Sequence, residues 1–279
     1  MDYTGKTHAE VRDYIRSLPV EDQGREWSRF RLAEMAAERV GLEAQVRARL
    51  DQPTPERVAE ILKRGNLPKR TLPGLRGLES LPANAAGLVA AREYYAEWSA
   101  GKHPGSGRGF YFYGSPGTGK TTLLASLAFD LLHRGGQHSL PSPQWTGGAL
   151  VNDFKRPSVQ FWKLGVLLEK LKPKRGRQDE DEDEFSIEKI QECDVLILDD
   201  LGKVRPTDWN MLTLFSVLDV RDSELRPTWY SSNYSLDDLA ARYIDALGKK
   251  YEPDVDALID RIAGNCEQVE FSGPSWRVG

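Results

Sequence analysis

The sequence has little cysteine. Only Cys193 and Cys266 occur among 279 residues, which excludes a disulfide-stapled scaffold and any cysteine-rich zinc module. No stretch approaches the ~18 consecutive apolar residues of a membrane span, so no membrane association is expected. The opening residues Met1-Asp2-Tyr3-Thr4-Gly5-Lys6 lack the apolar segment of a signal peptide, and a cytoplasmic location is the expectation. A surplus of positive charge is also missing. Lys and Arg number 38 against 42 Asp and Glu, a formal charge of −4, which argues against a uniformly basic surface. That deficit has one source: six consecutive acids run from Asp179 to Glu184, and the rest of the chain sums to +2. A locally basic path therefore stays open. What is present is ordinary for a soluble globular chain, 39% hydrophobic and 29% charged, in a length that suits one large domain or one domain plus a small one.

Residues 1–65 read as helical. Thr7 followed by Glu10 is a capping box for a helix over His8 to Leu18, ended by Pro19. A second helical pattern runs from about Val20 to Leu50. Thr54-Pro55 then supplies an N-cap with proline at the first helical position, and Gly65 stands where a helix stops. That third helix carries Val58, Ile61 and Leu62 on one face. A small helical domain over 1–65 is expected, and a second domain over 66–279. Proline and glycine mark a loop-rich connection over 66–84, followed by a helix over Ala83 to Ser99.

From Gly109 onward, short apolar runs alternate with longer helical stretches, the pattern of a parallel α/β sheet. Phe110–Tyr113, Ala149–Asn152, Val195–Leu198 and Thr228–Ser231 are the expected strands. Two segments interrupt them: a Gly-, Pro- and Ser-rich loop from Gly135 to Gly148, and a charge-segregated stretch from Lys170 to Glu184, which is expected to be solvated.

One motif carries chemistry by itself. Gly114-Ser115-Pro116-Gly117-Thr118-Gly119-Lys120-Thr121 fits G-x-x-x-x-G-K-[ST]. It lies between an apolar run, Phe110–Tyr113, and an amphipathic stretch opening Thr122-Leu123-Leu124. Strand, glycine loop and helix is the order the mechanism needs. Glycines let backbone N–H groups converge on phosphate oxygens, and the helix N-terminus adds donors and partial positive charge. Lys120 then reaches the β- and γ-phosphates of ATP, and the Thr121 hydroxyl binds Mg²⁺. Downstream, Val195-Leu196-Ile197-Leu198-Asp199-Asp200 is a buried strand ending in two carboxylates, at the end of an α/β sheet where ligands bind. Asp199 is the candidate Mg²⁺ ligand, and Asp200 the candidate base for an attacking water.

The combined motifs resemble AAA+ ATPases, and more narrowly the helicase loaders of the DnaC/DnaI type and the related IstB transposition ATPases. Asn66-Leu67-Pro68-Lys69-Arg70 is similar to the I-P-x-R segment that opens the family's ATPase domain. Tyr113–Thr121 is similar to its Walker A, and Leu198-Asp199-Asp200-Leu201-Gly202 to its Walker B. Thr207 and Trp209 match a pair at the start of the next helix, and Pro227-Thr228-Trp229-Tyr230-Ser231-Ser232-Asn233-Tyr234-Ser235 matches the sensor 1 segment. Ile259-Asp260-Arg261-Ile262 resembles a D-R-[MI] motif, and Ser275-Trp276-Arg277 a terminal S-[YW]-R.

The resemblance implies a parallel-sheet P-loop core of the AAA+/RecA-like ASCE kind, without a C-terminal lid because only two residues follow Arg277. It implies ATP and Mg²⁺ as cofactors, held by Gly114–Thr122 with Asp199. It makes Asn233 the sensor 1 amide, Arg277 the sensor 2 arginine in cis, and Arg261 the arginine finger acting on a neighbouring subunit, with Arg221 and Arg242 as competitors. Asp200 stands where many AAA+ proteins carry Glu, so slow, partner- or DNA-stimulated hydrolysis is expected. The implied partners are a DnaB-type replicative helicase hexamer bound through the N-terminus, single-stranded DNA and further copies of the chain assembled by nucleotide. Lys203, Arg205 and an exposed Trp209 are the candidate strand contacts. The alternative is an IstB-like ATPase acting on duplex DNA with a transposase.

Overall fold

The computed structural model describes residues 8–20, 22–23, 26, 30, 53–75, 78, 80, 84–99, 106–134, 142–146, 149–153, 157–172 and 186–275. Thr7 of the capping box, most of the second helical pattern, the acidic run and Arg277 lie outside them. The chain divides into two compact units, Met1–Thr54 and Pro55–Gly279.

In the smaller unit, helix α1 (His8–Ser17) buries Val11 and Ile15, one helical turn apart, with Phe30, and Tyr14 packs against them. The larger unit starts at helix α2 (Pro55–Arg64), the third helix of the sequence pattern. This helix goes with the 66–279 segment because Ile61 is buried in that unit's core, with Val58 and Leu62 packed beside it. The unit boundary thus falls before α2, not after it.

The remaining elements run α3 (Ala85–Ser99), β1 (Gly109–Gly114), α4 (Lys120–Arg134), β2 (Ser142–Thr146), β3 (Ala149–Asp153), β4 (Val159–Lys163), α5 (Leu164–Leu171), α6 (Ile187–Glu192), β5 (Val195–Leu201), α7 (Asp208–Ser223), β6 (Thr228–Ser232), α8 (Leu236–Leu247), α9 (Glu252–Asn265) and β7 (Cys266–Phe271). Five strands form one sheet in the order β4-β5-β6-β1-β7, every pair parallel. The expected parallel α/β core is therefore present.

Strand periodicity explains the layers. Alternate residues of a strand point to opposite faces. Phe110, Phe112, Val195, Ile197, Phe161 and Trp229 bury on one face, under α2, α3 and α4. Tyr111, Leu196, Leu198, Tyr230 and Trp162 bury on the other, under α5 to α9. Both faces are covered, which is why the central strands read as unbroken apolar runs. On α3, Leu88, Tyr94 and Trp98 are buried, whereas Val89 faces outward.

Two strand expectations need correction. Ala149–Asn152 is not in the main sheet: β3 pairs antiparallel with β2 in a separate two-stranded sheet. Its register sets Thr146 opposite Ala149. The place in the parallel sheet belongs to β4, and the far edge to β7. Polar residues at Gln160 and Lys163 in β4, and at Glu267, Gln268 and Glu270 in β7, break both strands, so neither shows as an apolar run.

β4 is an edge strand, and its free backbone groups are capped. Phe161 donates its N–H to Gly65 O at 2.9 Å, and Asn66 Nδ2 donates to Phe161 O at 2.7 Å, with Asn66 in the left-handed region at φ 52°. Capping of this kind blocks edge-to-edge pairing. It also anchors the 65–71 segment beside the carboxyl ends of the strands, where the site forms. Among the described residues, no helix is long and apolar enough to cross a membrane.

Candidate nucleotide site

The strand order β4-β5-β6-β1 in the sheet sets the carboxyl ends of β1, β5 and β6 side by side, and the glycine loop leaves β1 there. Gly114, Gly117 and Gly119 have φ of 125°, 84° and 97°, values that suit glycine. A Cβ on Gly114 would lie 2.3 Å from Phe271 O of β7, and one on Gly117 would lie 2.0 Å from Ser275 Oγ. These two positions are held by close approach as well as by conformation. Within the loop, Thr118 donates to Ser115 O at 2.8 Å. Lys120, buried at the start of α4, donates to Gly114 O and Ser115 O, each at 2.8 Å. Its ammonium thus lies inside the loop, where phosphate oxygens would replace those carbonyls.

Across the loop stands β5. Thr121 Oγ1 donates to Asp199 Oδ1 at 2.7 Å, and Ser231 of β6 donates its hydroxyl to the same oxygen. Burial raises the Asp199 pKa, opposed by those two hydrogen bonds, raised further by Asp200 and lowered by Lys163. Asp200 has φ 63°, accepts Lys203 Nζ on Oδ2 at 3.2 Å, and donates its N–H to Ser231 Oγ at 3.1 Å.

These groups line one cleft of about 420 Å³. Its wall comprises the loop and helix residues Pro116, Gly117, Gly119, Lys120, Thr121 and Thr122, the acids Asp199 and Asp200, and Asn233 at the end of β6. Pro68, Arg70 and Thr71 from the edge segment, with Lys163, Lys203 and Ser231, complete it. Four cations, Arg70, Lys120, Lys163 and Lys203, face two acids, a balance suited to a polyanion. Among the described residues there is no cluster of three His, Cys, Asp or Glu. A hydroxyl beside one buried carboxylate suits Mg²⁺ instead, which is bound by one or two carboxylates plus substrate phosphates.

The sequence reading missed Lys163, Thr71 and Ser231, and gave Pro68 and Arg70 no site role. Lys163 and Ser231 end strands adjacent to β5, and only the strand order brings them in.

The three arginines differ sharply. Arg221 is buried. Its Nε donates to Thr228 Oγ1 at 2.9 Å, and its Nη groups donate to the carbonyls of Ile190, Gln191, Cys193 and Pro227. It ties α6 to β6 and is not available to another subunit. Arg242 donates to Gly202 O at 3.1 Å and lies over the Tyr234 ring. Arg261 does not line the cleft. It sits on α9, paired with Asp219 Oδ1 at 2.6 Å and stacked 4.2 Å over Phe215. Lys203 and Arg205 are exposed, but Trp209 is half-buried against the α5–α9 side of the core, 5.9 Å below Lys172 Nζ. Trp209 thus does not meet the condition of exposure set for a strand contact: it packs on the core.

The sheet order, glycine loop and paired strand-end carboxylates define a parallel α/β P-loop core. No family model matches the chain. Over 175 residues it is 28% identical to the replicative helicase loader DnaI of Bacillus subtilis (strain 168), covering 62% of this chain and 49% of that one. Over 191 residues it is 24% identical to the replicative helicase loader DnaC of Escherichia coli (strain K12), covering 68% and 62%. The crystal structure of DnaI superposes with a TM-score of 0.53 at 24% identity, over 77% of this chain and 92% of that one. The match thus spans about half of the curated DnaI and under two thirds of DnaC. The chain is thus similar in sequence and in fold to DnaI and DnaC.

Proposed function

We propose that the chain is an ATP-dependent loader of a replicative DNA helicase, bacterial or phage. The observation that carries the reading is the cleft itself: Lys120, the Thr121–Asp199 pair, Asp200 and Asn233 meet at adjacent strand ends. The similarity to two helicase loaders supports the choice of process.

In this reading the Gly114–Thr122 backbone and Lys120 bind the phosphates of ATP. Thr121 and Asp199 hold Mg²⁺, which when bound neutralises charge on the β- and γ-phosphates. Asp200 takes the proton of the attacking water, and Asn233 orients that water. The short carboxylate of Asp200, tied to Lys203, favours slow turnover. Arg277 contacts nucleotide in cis. Arg261 exchanges Asp219 for the nucleotide of a neighbouring copy and stabilises charge in the transition state. The helical N-terminal residues bind a DnaB-type hexamer, and Lys203 and Arg205 bind single-stranded DNA through its phosphates.

The test is affinity purification with ATP·Mg²⁺ and without nucleotide, followed by phosphate release for the wild type and Asp200→Asn. Capture of a hexameric helicase, with turnover at least tenfold lower in the variant, is the expected result. Capture of a transposase with duplex DNA would favour the IstB-like alternative.

A further inference from the structure

The β5–β6 ladder slips at the two acids. Leu198 pairs with Tyr230, but the next partners are Leu201 and Ser232, so β5 carries one residue more than β6. Such a bulge leaves a residue without a ladder partner and re-aims side chains. In a regular strand Asp199 and Asp200 would point to opposite faces. Here both line the same cleft, and Asp200 adopts φ 63°. A non-glycine residue in that region is strained and persists only where its surroundings hold it.

Lys203 donates its N–H to Asp200 O at 3.2 Å and its ammonium to Asp200 Oδ2, and one buried side chain adds a hold on both acids. Ser231, 2% exposed, accepts the Asp200 N–H at 3.1 Å, which stands in for the missing ladder bond. The same hydroxyl donates its proton to Asp199 Oδ1. A single group therefore clasps the backbone of one acid and the carboxylate of the other. Thr121 Oγ1 also donates to Asp199 Oδ1, and its lone pairs stay free for a metal. Ser231 is the second donor on that oxygen, and of the two it alone also holds the Asp200 backbone.

We propose that Ser231 is the positioning residue of the hydrolytic site, clasping the β5 bulge so that Asp199 and Asp200 act on the same nucleotide. The proposal rests on the ATPase reading above. Outer-shell partners of metal ligands are typically worth 10–100-fold in metal affinity or activity.

The experiment uses the full chain and a fluorescent ATP analogue, titrated in Mg²⁺ and in EDTA, with phosphate release and thermal melting alongside. Ser231→Ala should bind the analogue in EDTA within twofold of wild type. It should lose at least tenfold of the Mg²⁺-dependent gain, with KM for ATP·Mg²⁺ rising in step, and kcat should fall at least tenfold. Ser231→Thr, which keeps the hydroxyl, should recover both to within about threefold. If Ser231→Ala does not fold, Ser231→Cys, of similar volume and weak donor strength, takes its place. A wild-type-like alanine variant in a magnesium-dependent wild type would overturn the clasp alone. So would equal losses in the alanine and threonine variants at matched melting temperature. A wild type that neither binds nor hydrolyses ATP would overturn the ATPase reading and the clasp with it.

Discussion

The Lys203 ammonium lies 3.2 Å from Asp200 Oδ2, three residues along the chain, so a candidate DNA-binding cation rests on the candidate catalytic base. With the lysine side chain 68% exposed, the pair is worth about 0.2–1 kcal/mol. Lys203→Ala should therefore lower the melting temperature by no more than about 2–4 °C and raise basal phosphate release by up to about fivefold, the rate equivalent of 1 kcal/mol. Single-strand affinity should fall, with a salt slope shallower by about 0.7 for one phosphate contact removed. An unchanged slope in fluorescence anisotropy would remove Lys203 from the strand path.

Gly117→Ala should abolish tight nucleotide binding. The new Cβ meets Ser275 Oγ at 2.0 Å and Ser275 Cβ at 2.8 Å, at φ 84°. Adding Ser275→Gly removes both contacts but leaves Cα at 3.3 Å and the dihedral strain. Partial recovery in the double variant is the expected outcome, measured by nucleotide titration. No recovery would mean that the dihedral alone excludes a side chain.

Asp199→Asn should stabilise the nucleotide-free protein at pH 7 while removing Mg²⁺-dependent binding. Burial raises the Asp199 pKa, so the native state binds this proton more readily than the unfolded chain does. The stabilising contribution is complete below the ordinary carboxylate value and is lost as pH rises through the raised one. At neutral pH the ionised group is a net cost. A gain of ~1 kcal/mol would appear as about 2–4 °C for a chain of this size. The gap between wild type and variant should shrink on acidification, and a variant less stable at pH 7 would refute the sign.

Arg221→Lys should cost about 2–4 kcal/mol, because one ammonium cannot span the carbonyls that the guanidinium fork reaches. Denaturant unfolding measures the loss. Nucleotide affinity of the folded fraction should not move, since Arg221 does not line the cleft.

Arg261→Ala and Asp200→Asn should each be inactive alone and recover turnover when mixed, because one supplies the finger and the other the base. Absence of complementation would return the finger role to Arg242, the remaining exposed competitor.

Much of the site was legible in the sequence because its parts are local. The glycine loop needs a particular backbone over eight residues. The Asp199-Asp200 pair ends an apolar run, and Thr207 and Ser235 cap the helices that follow them. The strands β4 and β7 were not legible. Val159-Gln160-Phe161-Trp162-Lys163 is too short and mixed for a period, and edge strands carry polar residues for reasons of exposure. Ser231 was visible only as one position in a family segment. Its role comes from a bulge, and a bulge is a relation between two strands.

The sequence by itself determined the phosphate loop, the acid-tipped strand, the α/β class and the likeness to helicase loaders, since each rests on residues adjacent in the chain. The tertiary structure alone decided the strand order, the burial of Arg221 and Trp209, and the clasp of Ser231 on both acids. It also brought Arg70, Lys163 and Lys203 to one cleft. The reason is physical. Backbone geometry and hydrophobic period act over a few residues, whereas a cleft at strand ends is built by packing both faces of a sheet whose neighbours lie far apart in the chain.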